Sequence, residues 1–288
     1  MHDQASRLRE LASKGKDKDK SKMRVIAVTS GKGGVGKTNF TVNLALALSE
    51  FGRRIIILDG DLGLANVDIA FGLSARYTIE HLLSGEKTIE QILLTGPRGI
   101  GIIPGGSGVQ GLANIERDKL ANVIANLGRL EKMADLLIID TGAGLGHTVL
   151  NFLKAADDII MVTTPEPTAL TDAYGLLKTL REEAGEVPIH VVINRVRNEK
   201  DAQATFKRLE MAVHKFLDGS IKFMGWIYDD PLVGRSVMQL EPLGISFPDS
   251  PAYKCIQWIA GTVSGIYLRP PRQAGGVRGF LSKLLRSF

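Results

Sequence analysis

The sequence predicts a doubly wound α/β fold, with a mostly parallel sheet and helices on both faces. Apolar runs without polar alternation recur at 55–58, 101–103, 136–139, 159–162, 189–193 and 221–227, the pattern of strands covered on both sides. Helical patterns lie between them, at 117–133, 148–155, 169–184, 201–217 and 252–267. This alternation builds a parallel sheet whose ligands sit at the carboxyl ends of the strands. A chain of 288 residues, 44% of them hydrophobic, can bury the core of one large domain.

The first strand, residues 24–29 (RVIAVT), runs into Gly31, Lys32, Gly33, Gly34, Val35, Gly36, Lys37 and Thr38, and residues 37–50 follow as a helix. The loop satisfies the phosphate-loop pattern G-x-x-x-x-G-K-[ST] in its strand-loop-helix setting. Glycines let the backbone wrap close to phosphates, Lys37 neutralises the outer ones, and Thr38 offers a hydroxyl to Mg²⁺. A nucleoside triphosphate is the implied ligand. Lys32 is a second lysine in this loop, at a position often left to solvent.

The second strand ends on Asp59 and Asp61, two carboxylates where a nucleotide's phosphates would lie. Asp61 can orient an attacking water or accept its proton late, and Asp59 can reach the Mg²⁺ shell through water. Either can instead cap the passage from strand to turn. Residues 136–140 (LLIID) end on Asp140, a further indirect Mg²⁺ ligand, and Gly142 and Gly144 after it are flexible enough to respond to a γ-phosphate as a switch. Residues 189–195 (IHVVINR) end on Asn194 and Arg195. The Asn194 amide offers a donor and an acceptor and suits the adenine edge, or the capping of a strand end. The guanine-reading order N-K-x-D is absent around Asn198, which favours ATP over GTP.

The two ends differ from the body. Residues 1–22 carry seven Lys/Arg against four Asp/Glu and residues 269–288 five against none, so the part between is net negative although the whole chain is +5. Basicity confined to the tails argues for contact with an anionic surface and disfavours nucleic acid as the main partner. Residues 14–22 (KGKDKDKSK) have no apolar face and form a tether, giving an N-terminal element and tether at 1–22, a nucleotide domain at 23–268, and a linker with a terminal helix at 269–288. Val277, Phe280, Leu281, Leu284, Leu285 and Phe288 fall on one helical stripe flanked by Arg278, Lys283 and Arg286, the pattern of a helix lying in an anionic membrane interface. Packing of that helix on its own globule is the alternative. A single cysteine, Cys255, and the lack of any run of about 18 apolar residues predict a reducing, cytoplasmic setting with peripheral membrane attachment.

GKGGVGKT with Lys32, DGDLGLANVD and IIDTGAG together resemble the deviant Walker A ATPases of the MinD/ParA family, over about residues 23–267. Asp3, Gln4, Ala5, Leu8 and Arg9 resemble the D-Q-A-x-x-L-R element of its FlhG (YlxH, FleN) branch of flagellar regulators, as do TGAG and residues 165–174. The resemblance implies a weak regulatory ATPase that uses ATP and Mg²⁺ and forms a homodimer with ATP. Lys32 of each copy would then reach the other's phosphates. It further implies that the N-terminal element activates the GTPase FlhF, that C-ring switch proteins are partners, and that the output is flagellar number or placement. Many relatives carry proline where this chain has Tyr228, whose ring would lie near the adenine. The alternatives are a MinD-type division-site ATPase and a ParA-type partition ATPase that binds DNA.

Overall fold

A computed structural model describes residues 23–61, 66–106, 126–184 and 187–271. Within them β1 (Arg24–Ser30), β2 (Ile55–Gly60), β3 (Leu94–Thr95), β4 (Gly101–Ile103), β5 (Leu136–Ala143), β6 (Asp158–Thr163), β7 (Ile189–Val196) and β8 (Lys222–Tyr228) form one sheet. Their order is β3-β4-β2-β5-β1-β6-β7-β8. Only the β3–β4 pair is antiparallel.

The apolar runs explain why the sheet is covered twice. Along β2, Ile55 and Ile57 enter one hydrophobic cluster while Ile56 and Leu58 enter the other. The same two-residue alternation sends Leu136 and Ile138 of β5 one way and Leu137 and Ile139 the other. A strand with two buried faces needs this uninterrupted apolar sequence.

The strands are accompanied by the α-helices α1 (Lys37–Glu50), α2 (Val67–Ala70), α3 (Ile79–Leu83), α4 (Ile89–Ile92), α5 (Leu130–Met133), α6 (His147–Ala155), α7 (Pro167–Ala184), α8 (Glu199–Leu217), α9 (Pro231–Met238), α10 (Leu243–Ser246) and α11 (Pro251–Val263). α1 is buried from Phe40 to Leu48 because it lies between the sheet and α11, so it has no polar face to show. α8 is amphipathic instead. It starts where the Asn198 side chain accepts the Asp201 N–H at 3.0 Å, and buries Ala202, Thr205, Phe206, Leu209 and Val213 on one stripe.

The doubly wound, mostly parallel expectation is met. Two details depart from it. The last helix stops at Val263, short of 267, because the chain turns through Ser264 and Gly265 at φ +72°. The helix α9 and the short helices α2–α4 carry too few apolar repeats to be seen as periodic patterns. Most of the helix expected at 117–133 lies outside the described residues, as do the N-terminal element with Asp3, Gln4, Ala5, Leu8 and Arg9 and the C-terminal stripe from Val277 to Phe288. Among the described residues no helix is long and apolar enough to cross a membrane.

Candidate functional site

The sheet register gathers the chemistry. β5 lies between β1 and β2, and Asp140 pairs with Val28 on one side and Asp59 on the other. The glycine loop after β1 and the acidic turn after β2 therefore meet over the carboxyl end of β5, at the edge where open α/β sheets hold ligands.

The loop is gripped at its flanks and open at its centre. A Cβ on Gly31 would lie 2.3 Å from the Asp172 carbonyl carbon of α7, and one on Gly36 would lie 2.5 Å from Asn194 Nδ2. Among the described residues, nothing lies within 4 Å of the same position on Gly33 or Gly34. Gly34 and Gly36 adopt φ of +77° and +93°, which side chains rarely tolerate. This leaves a cradle of bare backbone of the kind that phosphates approach closely.

Lys37 and Asp140 form a buried pair, Nζ to Oδ1 at 3.1 Å, with 8% and 1% of each side chain exposed. Asp140 also accepts the Thr38 hydroxyl at 2.7 Å and the Thr41 hydroxyl at 2.8 Å. Two charges held this far from water need such a saturated set of partners. Thr41 was not among the residues singled out from sequence. Its only signal is its place one turn after Lys37 on the same helix face.

Asp59 is buried and accepts three backbone N–H groups, from Asp61 at 3.2 Å, Asn66 at 2.9 Å and Val67 at 3.0 Å. The capping role open to it in the sequence is thus one it performs. Burial pushes its carboxyl up to about 6, the backbone donors oppose that shift, and the neighbouring Asp140 charge adds to it. Asp61 follows at the start of the turn, with its carboxylate beside Gly142, where a Cβ would lie 3.5 Å from Oδ1. The Gly144 N–H donates to Ser30 O at 2.9 Å, so the candidate switch segment is tied to the strand that carries the loop.

Lys32 faces the other way. Its ammonium contacts Glu166 Oε2 at 3.4 Å and Thr168 Oγ1 at 2.9 Å, and 39% of its side chain is exposed. Glu166 and Thr168 also escaped the residue-level reading, because nothing in their spacing from residue 32 shows that the chain returns here.

Beside the loop is a cleft of about 500 Å³ bounded by Gly36, Asn194, Arg195, Tyr228 and Val233. It brings together the residues expected around the base. Tyr228 is buried and donates its hydroxyl to Pro271 O at 3.3 Å. Asn194 Nδ2 donates to Val35 O at 2.7 Å and Oδ1 accepts the Arg195 N–H at 2.9 Å, with Arg195 held at φ +56°.

A bare glycine cradle, a buried lysine, a threonine hydroxyl and two carboxylates suit a magnesium triphosphate, since Mg²⁺ takes few protein oxygens and keeps several waters. Among the described residues no three His, Cys, Asp or Glu side chains gather into a dedicated metal cage.

Comparison with known proteins agrees with this geometry. Residues 23–190 match the family model described as AAA domain. The chain is 36% identical to the antiactivator FleN of Pseudomonas aeruginosa over 264 residues, covering 92% of this chain and 94% of that protein. It is 35% identical to the flagellum site-determining protein YlxH of Helicobacter pylori over 296 residues, covering 99% of both. The structure of the septum site-determining protein MinD of Pyrococcus horikoshii, complexed with Mg-ADP, superimposes with a TM-score of 0.66 at 25% identity, covering 83% of this chain and 95% of that one.

Proposed function

The chain belongs to the MinD/ParA family of P-loop ATPases, on its FleN/YlxH branch, and from that premise we propose that it is an ATP-driven switch that pairs, attaches to membrane and sets the number or placement of flagella. The observation that carries this reading is the division of labour between two lysines. Lys37 is buried at the loop with Asp140, while Lys32 is partly exposed at the loop's mouth on a weak contact. An exposed ion pair of that kind contributes under about 1 kcal/mol, so Lys32 can leave Glu166 for a stronger anion.

In this account a triphosphate entering the cradle draws Lys37 away from Asp140. Bound Mg²⁺, held by the Thr38 hydroxyl and through water by Asp59 and Asp140, would offset the charge on the phosphate oxygens. Asp61 orients the attacking water beside Gly142, and transfer depends on positioning more than on a strong base. Gly142 and Gly144 relay the state of the pocket to the face on which two copies meet, where Lys32 of each reaches the other's phosphates. Adenine occupies the cleft beside Asn194, Arg195 and Tyr228.

The stripe Val277, Phe280, Leu281, Leu284, Leu285 and Phe288 then lies in an anionic membrane surface. One copy binds marginally, and two on one face add avidity. Asp3, Gln4, Ala5, Leu8 and Arg9 act on the GTPase FlhF, and C-ring proteins receive the signal. Hydrolysis returns the chain to a monomer in the cytoplasm.

Size-exclusion chromatography of the Asp61→Ala variant tests the core of this. It should elute as a dimer with ATP and a monomer with ADP, and pellet with anionic liposomes only with ATP. Adding Lys32→Ala should restore the monomer while ATP remains bound. A hydrolysis-blocked protein that holds ATP yet stays monomeric overturns the switch.

A further inference from the structure

We infer that Asn194 is a positioning residue that clamps the phosphate loop, and that this, more than reading the base, is its contribution to nucleotide binding. The inference rests on the ATP-binding role proposed above and assigns one residue's part in it.

The amide is already engaged on both ends. Nδ2 donates to the Val35 carbonyl at 2.7 Å and Oδ1 accepts the Arg195 N–H at 2.9 Å. Those partners also fix the amide's orientation, since a carbonyl can only accept and an N–H can only donate. The Oδ1 contact holds Arg195 in the left-handed region at φ +56°, a conformation few non-glycine residues adopt. β7 therefore ends in a preformed bracket, and the bracket's free end points at the loop.

The loop needs one. Its first flank packs Gly31 against the α7 backbone at Asp172, and the Ser30 hydroxyl braces it by donating to Lys32 O at 3.0 Å. At its centre, nothing among the described residues lies within 4 Å of where a Cβ on Gly33 or Gly34 would sit. On the second flank Val35 is buried in the core and Gly36 O accepts the Phe40 N–H at 2.9 Å, and Asn194 adds a side-chain contact so close to Gly36 that any Cβ there would lie 2.5 Å from Nδ2. Gly36 precedes α1, whose first residues are Lys37 and Thr38. Release of the clamp would let the end of the loop drift by the small distances to which phosphate contacts are sensitive.

A ligand with phosphates and no base separates the two roles. Titration calorimetry of the full chain would compare Mg²⁺-ATP with Mg²⁺-tripolyphosphate for wild type, Asn194→Ala and Asn194→Ser. A clamp predicts that both ligands weaken by the same factor, about tenfold, in each variant, with ATP still preferred over GTP. Circular dichroism confirms folding, and the serine variant, which can still accept the Arg195 N–H, keeps the test open if the alanine variant unfolds. Unchanged tripolyphosphate binding alongside weakened ATP binding, or lost discrimination against GTP, overturns the clamp and leaves the ATPase reading intact. Wild-type protein that bound neither ligand would instead overturn the reading on which the clamp rests.

Discussion

Asp59 shows how much one carboxylate can be asked to do. It caps the turn after β2 with three backbone N–H groups and sits beside Asp140, and burial raises its carboxyl to about 6. A raised acid binds more protons folded than unfolded, so between about pH 4 and pH 6 its contribution to stability falls as pH rises, by up to about 3 kcal/mol. Above that window the cost is fully present. Asp59→Asn keeps one acceptor oxygen and loses the other, a cost that does not vary with pH, so its stability relative to wild type should rise between pH 4 and pH 7 in the nucleotide-free protein. Thermal unfolding of both across that range checks it, and a pH-independent difference would contradict the assignment. Cys255 is the opposite case, a free thiol packed in the hydrophobic core. It is fully buried and its thiol is pushed up to about 12 by burial, so it should resist thiol reagents until the chain unfolds.

At the scale of elements, contacts between backbones decide what glycine is for. Gly31→Ala would drive a methyl group into the Asp172 carbonyl of α7, and rigid backbone cannot yield as a side-chain tip can. We expect ATP affinity to fall more than tenfold in a protein that remains folded, as read by calorimetry and circular dichroism. The β8 edge of the sheet offers a packing test. Trp226 of β8 is 2% exposed, lies 4.8 Å from Trp258 of α11 between ring centres, and stacks near Phe223. Trp226→Ala should cost about 3–5 kcal/mol in denaturant unfolding. Trp226→Phe should cost much less, because it also removes a buried indole N–H that has no hydrogen-bond partner among the described residues. α11 is further tied to the end of α1, where Glu50 accepts the Tyr253 hydroxyl and the Gln257 amide at 2.7 Å each and pairs with Arg98.

Over the whole molecule, the proposed switch links a pocket on one edge of the sheet to two copies and a surface. Lys32 belongs to this scale, since its present partners, Glu166 just before α7 and Thr168 in its first turn, come from its own chain and its proposed ones from another chain. Much was legible beforehand. The six apolar runs became strands because a parallel sheet buried on both faces tolerates no other composition, and the phosphate loop was legible because its function fixes residue types at fixed spacing. Glu166, Thr168, Asp172 and Thr41 were not legible in their roles. Each acts through a contact made by chain return or helix facing, and neither leaves a local pattern.

Taken alone, the sequence determined the ligand class, the parallel sheet and the two lysines of the loop, because each follows from residue type and period. Tertiary structure decided which groups meet: that Asp140 holds Lys37, and that Asn194 grips the loop. Those are distances between segments far apart in the chain, and only the order in which the strands assemble sets them.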